Sequence, residues 1–83
     1  DIYTIIEVDT RDRNGLLYDL TKTLSNSNIY IASAVIATYG VQAVDVFYVK
    51  DMFGLKLHTL AKQNKIRAAL TAAIEIGEEV AMS

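Results

Sequence analysis

The sequence predicts an α+β fold, a ferredoxin-like βαββα(β) arrangement in which two helices cover one face of an antiparallel sheet. Three observations lead there. Apolar residues alternate at period two in three stretches and recur at helical spacing in two others. The order along the chain is strand, helix, strand, strand, helix, with a tail able to form a last strand. All 83 residues are expected to make one domain, and a chain that opens on Asp1 rather than methionine is expected to be a fragment of a longer protein.

The first strand is Ile2 to Asp9, with Ile2, Thr4, Ile6 and Val8 on one face and Tyr3, Ile5, Glu7 and Asp9 on the other. Residues 14–25 read as a helix because Leu16, Leu17, Leu20 and Leu24 share its spacing. Asp12 or Arg13 stands near its cap and Asn26-Ser27-Asn28 marks its stop. Residues 29–39 are rich in β-branched and aromatic residues, Gly40-Val41-Gln42 makes a tight turn, and Ala43 to Lys50 alternates around Val44, Val46 and Tyr48. Met52 to His58 is a connection. A second helix rests on Ile66, Ala69, Leu70, Ala73 and Ile74, with Gly77 expected as its C-cap and Glu78 to Ser83 as a short last strand or a frayed end. In the second strand, strict alternation puts Ile29, Ile31, Val35 and Tyr39 on one side and Tyr30, Ala32, Ala34 and Ile36 on the other. Neither side is made for water, so an interface is expected there, with a second copy or an adjacent domain.

Composition excludes several function classes. A formal net charge of -2 argues against a domain that grips nucleic acid by its phosphates, and Lys62, Lys65 and Arg67 read as a solvated helix face. There is no cysteine, hence no disulfide framework or thiolate metal site, which fits a cytoplasmic protein. One histidine and scattered carboxylates lack metal-ligand spacing, so neither metal nor cofactor is expected. Hydrophobic residues reach 52%, but polar residues interrupt them too often for a membrane-spanning helix. Ser33, Asp45 and His58 are the residue types of a hydrolytic triad, yet no nucleophile elbow surrounds the serine and nothing in the spacing brings them together. Asp45, between Val44 and Val46, is expected to face solvent or a partner's basic group.

The junction Asp12-Arg13-Asn14-Gly15-Leu16-Leu17 is the chemically richest point. There an apolar strand hands over to a helix whose first N–H groups lack intrahelical acceptors and carry the positive end of the macrodipole. A small anion is stabilised at such a place, and Gly15 allows close approach. Asp12 is expected to cap the helix, a role worth on the order of 1 kcal/mol. Tyr30 is expected to be an interface or half-buried packing residue rather than a ligand contact.

These residues resemble a family. The element order, the turn Arg11 to Leu17, and Ile36-Ala37-Thr38-Tyr39-Gly40 leading to Ala43-Val44-Asp45-Val46-Phe47-Tyr48-Val49 are similar to an ACT domain, a small regulatory module that binds amino acids. The resemblance covers roughly residues 3 to 74. More narrowly, Leu17 to Thr21 and Ser33 to Asp51 resemble the C-terminal ACT repeat of the bifunctional uridylyltransferases/uridylyl-removing enzymes that act on the PII nitrogen-signalling protein. That implies a sensor rather than a catalyst, with glutamine as ligand and either a homodimer or a neighbouring ACT repeat as partner. It implies a ligand site of Asp12, Asn14, Gly15 and Leu16 from the turn and Tyr30 and Ile31 from the second strand. Zwitterion chemistry agrees: the ligand carboxylate suits the N–H groups at Gly15 and Leu16, and its ammonium suits Asp12. Two positions depart from the family pattern, Asn14 standing for a usual proline and Tyr30 for Asp or Asn. The alternative implied is a ligand-free interaction module that dimerises or docks domains.

Overall fold

A computed structural model describes residues 2–82. The elements are β1 (Thr4–Arg11), α1 (Leu16–Asn26), β2 (Ile29–Tyr39), β3 (Gln42–Asp51) and α2 (Leu60–Met82). The strands form an antiparallel sheet in the order β1-β3-β2, so β3 is hydrogen-bonded on both sides. This is the expected βαββα order. The optional last strand does not form, because residues 78–82 continue α2; Ser83 lies outside the described residues.

Alternation on β3 sorts the sheet into two faces. Ala43, Asp45, Phe47, Val49 and Asp51 are buried, whereas Val44, Val46, Tyr48 and Lys50 are only half-buried. Against the buried face pack Leu16, Leu20 and Leu24 of α1 and Ile66 and Leu70 of α2, with Val8, Ile29 and Leu57 completing the core. The cross-strand register sets the phase of β1: Thr4, Ile6, Val8 and Thr10 pair with Val49, Phe47, Asp45 and Ala43 and so share their face.

The second strand departs from strict alternation. Ile31 pairs with Val49 but Ser33 pairs with Tyr48, so one residue is inserted at Ala32. Beyond that bulge every side chain changes face. Ile29 and Ile31 therefore lie on the helix side together with Ala34, Ile36 and Thr38, while Val35, Ala37 and Tyr39 lie on the other.

The helix ends follow local chemistry. Gly15 at φ 81° is the N-cap of α1, and no side chain among the described residues caps it. The expected capping role of Asp12 is thus overturned: a left-handed residue closes the turn, and the Asp12 N–H instead donates to the Val41 carbonyl at 2.8 Å, tying the end of β1 to the β2–β3 turn. Asn28, at φ 61°, stops α1 where the sequence places its stop.

Gly77 does not terminate α2. It keeps a helical φ and serves as a seat: the Arg13 guanidinium lies so close that a Cβ on residue 77 would collide with it. From that seat Arg13 Nη2 donates to Asp19 Oδ2 at 2.8 Å and Nη1 to the Asn14 carbonyl at 3.2 Å. One side chain thereby joins the β1–α1 turn, α1 and α2. Replacing a helical glycine by alanine ordinarily stabilises by about 1 kcal/mol. For Gly77→Ala the expected outcome in a thermal melt is no gain or a loss, with the gain recovered in an Arg13→Ala background. A full gain in Gly77→Ala alone would refute the seat.

At the far end of β3, Asp51 organises the connection to α2. Its Oδ1 accepts the N–H of Leu55 at 2.9 Å and of Phe53 at 2.8 Å. The Leu55 N–H holds this carboxyl below the usual carboxylate range; burial opposes the shift, and the Phe53 N–H and the charges of Lys62 and His58 assist it. A carboxyl lowered on folding stabilises above its unfolded pKa, and that stability is lost as pH falls through the folded value. Asp51→Ala should lower Tm at pH 7, and the deficit should shrink as pH falls below about 4. A deficit that persists unchanged at acid pH would mean the carboxylate is not what holds the loop.

Candidate functional site

At the start of α1 the β2 part of the sheet's inner face is left uncovered. A hollow of about 310 Å³ opens there, lined by Asp12 to Tyr18 of the turn and first helical residues, Ile36 and Thr38 of β2, and Ala43 and Asp45 of β3. The local sequence explains it. Leu16, Leu20 and Leu24 bring one stripe of α1 onto the core, while the second half of β2, beyond the bulge, extends past the helix end. Ile36 faces the helix side yet is 47% exposed, which marks the gap.

The floor and the rim differ in charge character. At the rim, the Leu16 N–H donates to the Arg13 carbonyl at 3.2 Å and the Asp19 N–H to the Gly15 carbonyl at 2.9 Å. Leu17 and Tyr18, between them, have no such turn contact among the described residues and line the hollow. With no side-chain cap from those residues, this helix start keeps its attraction for an anion. The floor carries Asp45, 2% exposed, with Oδ1 making no hydrogen bond to any described residue. Burial pushes its carboxyl pKa up, and the neighbouring Asp12 charge pushes the same way. An uncapped helix N-terminus facing a buried carboxyl can hold the two ends of a zwitterion.

Of the residues the sequence nominated, the structure brings Asp12, Asn14, Gly15 and Leu16 together around this hollow. Tyr30 and Ile31 stand elsewhere within the chain. They pair with Lys50 and Val49 at the opposite end of the sheet, roughly 25 Å along β2 from Thr38. Tyr30 is 61% exposed, so of the two packing roles expected for it only the interface one is open. The expectation that Asp45 faces solvent is overturned. It follows the phase of Ala43, Phe47 and Val49, all core residues, and that phase is the signal the sequence offers. Ser33 lies on the face opposite Asp45, so the triad types are separated by the sheet. Among the described residues no group of three or more acidic or histidine side chains could hold a metal ion, and no helix is long and apolar enough to cross a membrane.

Fold and hollow together define a small α+β module with a polar recess at a strand–helix junction. Residues 2–76 match the ACR family N-terminal ACT domain, and the chain belongs to the ACT domain family, a family of regulatory modules. It is 71% identical over 79 residues to a bifunctional uridylyltransferase/uridylyl-removing enzyme of Cereibacter sphaeroides, covering 95% of this chain and 8% of that protein. The enzymes of the same description from Ruegeria pomeroyi and Azospirillum brasilense are 67% and 56% identical, over 95% and 87% of this chain and 9% and 8% of theirs. The chain thus spans under a tenth of the length of the curated relatives it matches. The matched family is described by its N-terminal ACT domain, whereas the sequence resemblance is to a C-terminal repeat; both agree on the domain type.

Asp45 gives a stability test. A carboxyl raised on folding favours the folded state fully below its unfolded pKa, and this is lost as pH rises through the folded value. In the absence of ligand, Asp45→Asn should therefore raise stability at pH 7 by on the order of 1 kcal/mol. The advantage should shrink as pH falls below about 4, the unfolded-state value of an aspartate, and urea unfolding at neutral and acid pH reads it. A pH-independent difference would show that the charge is not the source.

Proposed function

We propose that this chain is an amino-acid-sensing regulatory domain, with glutamine as its ligand, in a cytoplasmic enzyme that transfers uridylyl groups to the PII nitrogen-signalling protein and removes them. The observation that carries the sensing is the uncapped start of α1 set against the acidic floor of the hollow. The parent activity is supported by the three relatives named above, each a bifunctional uridylyltransferase/uridylyl-removing enzyme. Glutamine offers a carboxylate for the N–H groups of Leu17 and Tyr18, an ammonium for Asp12, and a neutral side chain.

The unit that senses is a pair, either two copies or this domain with a neighbouring ACT repeat. β2 is an edge strand among the described residues, and Val35, Ile36 and Tyr39 on it are exposed. Antiparallel pairing of two β2 edges about their midpoint near Ala34 would set the Tyr30–Ile31 end of one copy beside the Ile36–Thr38 end of the other. All six nominated residues then surround one recess. A ligand that binds one arrangement of the pair better shifts the parent enzyme toward it, with coupling of roughly 1–3 kcal/mol. Glutamine would favour uridylyl removal over transfer.

A backbone-amide NMR titration checks this. Glutamine should shift the amides of residues 12–18 saturably and, in the paired state, those of Tyr30 and Ile31; glutamate, asparagine and serine at matched concentration should do so weakly. The exposed β2 edge also favours the alternative of a ligand-free docking module. Pairing that persists with no amide responding to millimolar amino acid, in this chain and in a tandem-repeat protein, would establish that alternative.

A further inference from the structure

We propose that Asp45, with Asp12 beside it, is the seat for the ligand's ammonium group and a charge filter that admits a zwitterion with a neutral side chain and rejects one with a second carboxylate. The proposal rests on the amino-acid-sensing reading for its ligand, but the cation seat can be tested without it.

Asp45 has no structural reason to be charged where it is. In the sheet it sits between Val8 on β1 and Ile36 on β2, and on its own strand Ala43 and Phe47 flank it on the same face. None of these side chains offers a hydrogen bond. Its Oδ1 is buried without a partner among the described residues. An ionisable group placed so costs stability unless something from outside completes it. The cation at the turn does not complete it: Arg13 is already engaged by Asp19 and the Asn14 carbonyl, and rests on Gly77. Asp51, the other acid on this face of β3, shows the contrast, since its oxygen takes two backbone N–H groups. What Asp45 lacks is a donor arriving through the hollow, and the fitting donor is a primary ammonium, which brings three N–H groups and a positive charge.

The same arrangement discriminates. Glutamine and glutamate have nearly the same shape, so packing separates them poorly, whereas charge separates them well. The hollow presents two carboxylates, Asp12 and Asp45, against one guanidinium whose charge Asp19 neutralises. A ligand carboxylate at the helix start is compensated; a second one in the same recess meets like charge. The hollow therefore disfavours amino acids that carry a second carboxylate.

The experiment titrates the chain, and the longer polypeptide carrying it, with glutamine, glutamate and methylammonium, following the side-chain carboxyl carbon of Asp45 by NMR and affinity by calorimetry. The expected result is a saturable shift of the Asp45 carboxyl with glutamine, with glutamate weaker by on the order of 10-fold or more. Asp45→Asn should bind glutamine on the order of 10- to 100-fold more weakly and narrow the gap to glutamate. Undiminished glutamine binding by Asp45→Asn, or an Asp45 carboxyl that ignores bound glutamine in the wild type, overturns the seat and leaves the sensing reading standing. Methylammonium shifting Asp45 while no amino acid binds keeps the seat and removes the sensing. No response of Asp45 to any of the three probes, with no amino acid binding by calorimetry, removes both. The wild-type carboxyl signal decides even if the variant fails to fold.

Discussion

The structure depends on the phase of its central strand. β3 is bonded to β1 on one side and β2 on the other, so its alternation decides which residues of all three strands meet the helices. Its inward set runs Ala43, Asp45, Phe47, Val49, Asp51, an apolar centre between two acids. Phe47 and Val49 are fully shielded and anchor the stripes of α1 and α2. Slipping this strand by one residue would bury Val44, Val46, Tyr48 and Lys50 instead, exchanging the core for a set that ends in a lysine. The register is therefore strongly specified, and the two acids are carried inward with it.

The two acids meet different fates. Asp51 lies where the chain leaves the sheet, and the following loop folds back to donate to it. The result is a tight connection that points the chain into α2. Asp45 lies where the sheet outruns α1, and no described loop returns to it. A buried polar group without a partner is rare enough in folded proteins to need an explanation. The bulge at Ala32 contributes, because it turns Ile36 and Thr38 rather than Val35 and Ala37 toward the helix side and so shapes the wall beside Asp45.

Most of the fold is legible in the sequence. Period-two and helical patterns locate all five elements, and the Asn26-Ser27-Asn28 stop and the Gly40-Val41 turn fall where local chemistry puts them. What escapes is what depends on contacts distant in sequence. Gly77 looks like a helix terminus because glycine commonly ends helices; only the approach of Arg13, from the far end of the chain, shows that its missing side chain is what matters. The bulge in β2 carries no glycine or proline to announce it, so strict alternation mis-assigns the residues after Ala32. The site is half legible: Asp12 to Leu16 sit together because they are neighbours in one turn. Asp45 escapes a reading that weighs it against Val44 and Val46 beside it, and is found by one that follows Ala43, Phe47 and Val49 in its own phase.

The geometry also bears on why such a domain would work in pairs. One chain supplies an anion-attracting helix start and an acidic floor, beside a β2 edge that has no neighbour among the described residues. A ligand there would remain partly in water, where charge-assisted contacts are weakened by solvent. Covering the β2 edge excludes that water and strengthens the same contacts, so occupancy and pairing reinforce each other through a shared boundary. Arg13 extends this coupling inward. The turn that would hold the ligand is fastened by that one side chain to Asp19 on α1 and to Gly77 on α2. A displacement of the turn on binding would have to move the guanidinium, and with it the contact between the two helices. The recess and the helical layer are in this way mechanically continuous.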